Sequence, residues 1–362
     1  MGRCLLCGKE SREIASILNL CQGCIRNNFS QVQEHINKIH QRIKEKDGVL
    51  YKERREGLSC NLCVNNCVIG EGLAGFCGLR RGREGKLVGP TKEAANLEYY
   101  FDSLPTNCVA AFGCAATGCG WPQFSYSPRT EFGYKNLAVF FNGCSFNCLF
   151  CQNYQWHDNV KRDWSPITTD QLVGVIDDKT SCICFFGGDP SCQIDFTINF
   201  SQRAIREKRN QILRICWETN GSFSPKFREA ILDILLCSGG TIKFDLKFLS
   251  ESLNIALCGR SNKQTLDNFS FFAKHFSKRK TPPLVCASTL IIPGYIDREE
   301  VGRIARFIAE FHSEIPYSLL GFWPAFYLED LPRTSKDLMY ACYNEAVQFL
   351  KRVNIGNKHL LC

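Results

Sequence analysis

The stretch NLAVFFNGCSFNCLFC, residues 136–151, decides the architecture. Leu137 to Phe141 is a short apolar run rich in residues that favour a pleated strand, and Asn142-Gly143 ends it. Cys144, Cys148 and Cys151 follow at once in the spacing C-x3-C-x2-C, with Phe150 just before the last cysteine. Three thiolates on one loop satisfy three irons of a cubane cluster and leave the fourth iron open to a small-molecule ligand. Taken alone, the triplet also fits a three-cysteine zinc site.

Downstream the same texture repeats: SCICFFGGDP (181–190), ILRICWETNG (212–221), TIKFDLKF (241–248), LVCASTLIIPG (284–294) and SLLGFWPAF (318–326). With the first run these make six strands, separated by segments long enough for crossover helices. The pattern predicts an α/β fold, a partial (β/α)6 TIM-type barrel of parallel strands over residues 134–330, with a C-terminal helical segment over 331–362. In such barrels the working groups gather at the C-terminal strand ends.

Upstream the chain is organised by cysteine. Fourteen of the 23 cysteines fall in tight groups before residue 152, and the other nine are scattered. Cys4-x-x-Cys7 and Cys21-x-x-Cys24 have the spacing of a four-thiolate zinc knuckle, giving a zinc-ribbon-like module over residues 1–27. Phe29, Val32, Ile36, Ile39 and Ile43 recur at helical spacing, so residues 28–57 read as a linking amphipathic helix and its exit. Residues 58–133 form a Cys-rich metal-binding region. It holds Cys60, Cys63, Cys67 and Cys77, for zinc or a second iron–sulfur cluster, and Cys108, Cys114 and Cys119, three thiols in a Gly/Ala-rich segment that would borrow a ligand from elsewhere. The nine scattered cysteines read as small buried hydrophobes. His157 reads as a loop histidine bonded to backbone, and Trp121, Tyr154, Trp156 and Trp323 as core aromatics.

The ordered motifs from about residue 58 to 330 resemble the radical S-adenosylmethionine (SAM) superfamily, nearest to its pyruvate formate-lyase activating enzyme-like and AmmeMemoRadiSam branches. The resemblance implies that Cys144, Cys148 and Cys151 hold a catalytic 4Fe-4S cluster whose open iron takes the amino and carboxylate groups of SAM. Gly187, Gly188, Asp189 and Pro190 resemble the GGE motif that receives the SAM ammonium, with Asp in place of Glu. Glu218 and Asn220 of ETNG match a motif near the SAM ribose and methionine. Asp245 and Lys247 of DLK match one whose Lys approaches the SAM carboxylate. Pro293 and Asp297 of PGYID match a segment near the nucleoside. The implied reaction is reductive cleavage of SAM to a 5'-deoxyadenosyl radical that abstracts hydrogen from a protein or peptide, with a low-potential ferredoxin or flavodoxin as reductant. Two variants of it are methylation with cobalamin, as in enzymes that modify a glutamine of methyl-coenzyme M reductase, and activation of a glycyl-radical enzyme.

Composition narrows the alternatives. With 44% hydrophobic and 22% charged residues and no apolar run near the ~20 residues of a bilayer span, the expectation is a soluble, non-membrane protein of the cytoplasm. A formal charge of +8 over 362 residues is modest, and without aromatic-basic interleaving nucleic acid is not the expected partner. A non-catalytic ribbon module whose metals are structural is the reading from another class. A pure electron carrier would saturate every cluster iron with protein ligands, which the open triplet does not do.

Overall fold

The computed structural model describes residues 1–49, 51, 55–106, 108, 110–161 and 165–362. An amphipathic helix α1 (Phe29–Lys46) precedes one eight-stranded sheet. Its first strand, β1 (Leu97–Ser103), is antiparallel to β2 (Lys135–Phe141). Then come, in sequence order and all parallel, β3 (Thr180–Gly187), β4 (Arg214–Thr219), β5 (Ile242–Asp245), β6 (Val285–Ile291), β7 (Tyr317–Gly321) and β8 (Val353–Gly356). Strands β1 and β8 remain unpaired edges, so the barrel is partial. Parallel neighbours need crossovers. These carry α2 (Thr169–Gly174), α3 (Ile194–Glu207), α4 (Arg228–Ser238), α5 (Glu251–Cys258), α6 (Lys263–Lys274), α7 (Arg298–Ala309) and α8 (Lys336–Ala346).

Two features depart from the sequence reading. Residues 331–362, expected to be helical only, supply α8 and then a seventh parallel strand, β8, paired with β7 from Tyr317↔Val353 to Leu320↔Gly356. Its four residues VNIG carry no long apolar alternation, and the free edge of β7 decides their conformation. The Cys-rich region 58–133 is also continuous with the barrel, because it supplies β1.

The pleat sorts each strand into two faces. Ile183 and Phe185, Ile215 and Trp217, and Ile242 and Phe244 are fully buried in the main core, where Phe185 lies 5.2 Å from Trp217 and 5.9 Å from Phe200 of α3 between ring centroids. Burying one such side chain contributes about 1.5–3 kcal/mol. The residues between them, Cys182, Cys184, Cys216, Glu218 and Lys243, line the barrel interior. The described residues of the 104–133 segment cross the N-terminal strand ends as a floor. There Glu131, fully buried, is held by both terminal nitrogens of Arg214 (2.6 and 2.9 Å), by the hydroxyls of Ser125 and Ser181, and by the Tyr126 amide.

Helix α1 does more than link. Val32, Ile36, Ile39 and Ile43 are buried, and His40 bonds to the Ala256 carbonyl (3.0 Å) and to Asn147 (3.2 Å). His157 bonds to the Asp47 carboxylate just past α1, not to backbone as expected. Of the four aromatics read as core, Trp156 is buried, whereas Trp121, Tyr154 and Trp323 are exposed. Among the described residues no helix is long and apolar enough to cross a membrane.

Candidate functional site

The C-terminal ends of β2 to β6 converge on a mouth that begins with the 144–151 loop. Cys144 and Cys148 are buried and Cys151 partly so. The loop is stitched to α5 by Asn147 N–H to Cys258 O and Leu149 N–H to Leu257 O, both 2.8 Å. The Cys144 sulfur accepts from the Phe146 amide (3.4 Å) and from Asn220 Nδ2 (3.7 Å), while Trp156 stands beside Cys151. Burial pushes the Cys144 thiol up and Cys151 up to about 12; for Cys148 the Cys258 thiol in contact with it acts first, then burial. Thiols so placed stay protonated until a metal takes their protons. Among the described residues only Cys4, Cys7, Cys21 and Cys24 bring their ligand atoms within 4.8 Å of one another. That spacing suits one tetrahedral ion, whereas the wider mouth triplet suits a cluster in which each thiolate meets a different iron.

Around the triplet the motif residues form a network. Gly188 N–H and Asp189 N–H pair with the carbonyls of Phe141 (2.7 Å) and Gly143 (2.9 Å), fixing GGDP to the end of β2, and Asn153 Nδ2 holds the Gly187 carbonyl (3.1 Å). The buried Asp189 carboxylate accepts from Ser191 N (2.7 Å), Asn220 N (2.6 Å) and the Thr219 hydroxyl (3.0 Å). It therefore clamps β3 to β4, with its donors all from this chain. Asn220 carries the network to the loop, donating to Ser145 Oγ at 2.8 Å and to Cys144. Lys247 pairs with Asp245 (3.1 Å) and sits 5.7 Å above the Phe150 ring. Burial opposes both charges. The carboxyl of Asp245 is nevertheless held well below its usual range by Lys243 and Lys247, and the Lys247 ammonium is held up by Asp245 and the Cys148 sulfur.

Two predicted residues have other partners. Glu218 lies one pleat below Asn220, paired with Lys243 (2.9 Å) and accepting from the Cys108 thiol (3.3 Å). Asp297 caps α7 through Glu300 N (2.8 Å) and faces Arg26 (3.7 Å). The turn at Pro293-Gly294 docks the N-terminal knuckle: Gly294 has φ +77°, and a Cβ there would stand 2.1 Å from the Glu13 carbonyl. Tyr295 Oη accepts from Ala15 N (3.0 Å) and donates to Leu20 O (3.1 Å).

The second cysteine group sits on a hairpin, Leu58–Cys60 with Cys67–Ile69, which is stitched to the ETNG loop by Val64 N to Ser222 O and Ser224 N to Leu62 O, both 2.8 Å. A fifth sulfur joins it. Cys192, three residues past Asp189, contacts both Cys63 and Cys77, and its thiol lowers Cys77 to about 6. Cys108 and Cys114 turn into the barrel interior, whereas Cys119 stands apart from that cavity, toward Arg352 and Arg279. Five of the scattered cysteines lie close to other thiols: Cys192 and Cys258 stand against predicted ligands, and Cys182, Cys184 and Cys216 line the interior cavity. For Cys192 the signal was its place beside GGDP; for Cys258 the sequence gives none.

Residues 138–308 match the family model described as the Radical SAM superfamily. The chain thus carries a radical SAM domain, with homologues in the pyruvate formate-lyase activating and glycyl-radical activating branch. It is 26% identical over 312 residues to an uncharacterized protein of Methanocaldococcus jannaschii, spanning 82% of this chain and 80% of that one. It is 24% identical to the pyruvate formate-lyase 1-activating enzyme of Escherichia coli over 171 residues, 45% of this chain and 64% of the relative. A crystal structure of a domain of pyruvate-formate lyase-activating enzyme from Bacteroides vulgatus aligns with 48% of this chain and 98% of its own, at TM-score 0.38 and 17% identity.

Proposed function

We propose that Cys144, Cys148 and Cys151 hold a 4Fe-4S cluster and that the enzyme uses it with SAM to modify a protein or peptide. The observation that carries this reading is the mouth itself, where three thiols, two buried and one partly so, spaced too widely for a single ion, meet Asn220 and the Lys247 ammonium. The chemistry that a reduced cluster and SAM supply together is one-electron cleavage of a carbon–sulfur bond, and hydrogen abstraction follows from it. This chain's residues bind and orient. Lys247, kept charged by Asp245, suits the SAM carboxylate. Asp189 fixes Asn220, and Asn220 fixes Cys144 through an N–H···S contact of the kind that tunes a metal site. Phe150, Phe248 and Trp156 are buried beside the triplet and keep water from it. A polypeptide substrate is supported by relatives named for activating other enzymes, and a low-potential ferredoxin or flavodoxin suits the electron supply. The knuckle of Cys4, Cys7, Cys21 and Cys24 suits zinc.

The test is anaerobic reconstitution with iron and sulfide, then SAM and dithionite, read by mass spectrometry beside Cys148→Ala. Formation of 5'-deoxyadenosine by the parent and not by the variant is expected. A fully loaded cluster that leaves SAM intact would return the chain to the binding-module reading.

A further inference from the structure

Beneath the mouth, between the sheet and the 104–133 floor, lies a cavity of about 420 Å³. Interiors of parallel barrels are ordinarily filled by layers of bulky branched side chains, and unfilled space costs stability. Here the lining includes five thiols: Cys182 and Cys184 from β3, Cys216 from β4, and Cys108 and Cys114 from the floor. Cys184 and Cys216 are register partners on adjacent strands, and the Cys182 and Cys216 thiols are near neighbours. All five are free of disulfides. Charged groups of both signs stand beside them, the carboxylates Asp102 and Glu218 among the lining. Lys243 lines the cavity, and Arg279, whose Nε and Nη1 have no hydrogen-bond partner among the described residues, lies close enough to Cys216 to interact with its charge. Thiols in such number, facing unfilled space near a guanidinium with unpartnered nitrogens, ask for an occupant of soft-metal character. None of them belongs to a set of three ligand atoms within 4.8 Å, so they do not converge on one ion.

We propose that the barrel interior holds a further iron–sulfur cluster, ligated by Cys108 and Cys114 from the floor and by Cys184 and Cys216 from the sheet. Two ligands from each side would lock the floor to the sheet, and Cys182 lines the cavity beside Cys216. Glu218, Lys243, Asp245 and Lys247 form an unbroken ion-paired ladder from this cavity to the mouth (2.9, 3.3 and 3.1 Å), which places the two thiol groups at the ends of one charged network. The proposal concerns metal content and does not depend on SAM cleavage.

The experiment uses the full chain, reconstituted without oxygen with ferrous iron and sulfide, in a Cys144→Ala/Cys148→Ala/Cys151→Ala background that silences the mouth. Iron and sulfide are counted and Mössbauer spectra recorded with and without added Cys184→Ser/Cys216→Ser. The expected result is loss of two or of four irons per chain with matching sulfide, while circular dichroism and the metal of the N-terminal knuckle are unchanged. Unchanged iron, or loss of zinc in place of iron, overturns the proposal. Should the strand substitutions unfold the protein, Cys108→Ser/Cys114→Ser in the floor decides. Loss of the same irons sustains the cluster, and their retention overturns it.

Discussion

The two ends of the barrel are both lined with thiols, yet they are built in opposite ways. At the mouth three cysteines come from eight consecutive residues, and the fold needs only to end a strand there. Beneath it, five cysteines come from three separate segments and meet only because the floor crosses under β3 and β4. A local loop carries its own ligand spacing, whereas a convergent site is as stable as the contacts that hold its walls together.

The largest effect expected from this comparison is at the mouth. Cys148→Ala abolishes 5'-deoxyadenosine formation, while Cys182→Ser, in the lower group, leaves it within a fewfold of the parent. Equal loss in both would erase the distinction between the two ends.

The floor is sensitive through stability. Glu131→Gln leaves Arg214 buried without its anion and should cost about 3–5 kcal/mol in denaturant unfolding. Burial alone would raise the Glu131 carboxyl, but Arg214, the Tyr126 amide and Ser181 lower it below its ordinary value. A lowered folded pKa means that the contribution is complete above the unfolded carboxyl's range near ~4.3 and is lost as pH falls through the folded value. The parent should therefore lose stability on acidification below that range more steeply than Glu131→Gln does. Parallel pH profiles would show that the floor is held by packing.

A smaller effect separates binding from scaffold at the mouth. Lys247→Met removes the ammonium that faces the Cys148 side of the loop, and the loss of a charge-assisted contact of about 1.5–3 kcal/mol should raise KM for SAM roughly 10- to 100-fold. An unchanged KM would reduce Lys247 to a structural partner of Asp245. The smallest effect is at the knuckle. Tyr295→Phe loses a donor and an acceptor to residues 15 and 20 and should lower the melting temperature through about 1 kcal/mol, with SAM cleavage retained.

Much of the mouth was legible because its chemistry lies on short motifs at strand ends. The spacing of Cys144, Cys148 and Cys151, the glycines of GGDP and the DLK run each follow from where a strand stops. What those motifs do within the fold was less legible. Asp189 turned out to be a clamp on β4, and Asp297 a helix cap beside the knuckle, because a short carboxylate next to free backbone amides is taken up locally. β8 escaped notice because four residues without apolar alternation become a strand only when a neighbouring edge is free to pair.

By itself the sequence determined what local spacing can encode: a parallel α/β barrel, a three-thiolate loop after its first parallel strand, and a four-thiolate knuckle at the N-terminus. Tertiary structure alone decided which distant thiols meet. Cys192 joins Cys63 and Cys77, Cys258 joins Cys148, and Cys182, Cys184 and Cys216 face Cys108 and Cys114. The physical reason is that a cysteine is small and apolar enough to sit on any strand or helix, so its sequence neighbours say little about whether it packs or binds. Only the sheet's register and the path of the floor bring one sulfur to another.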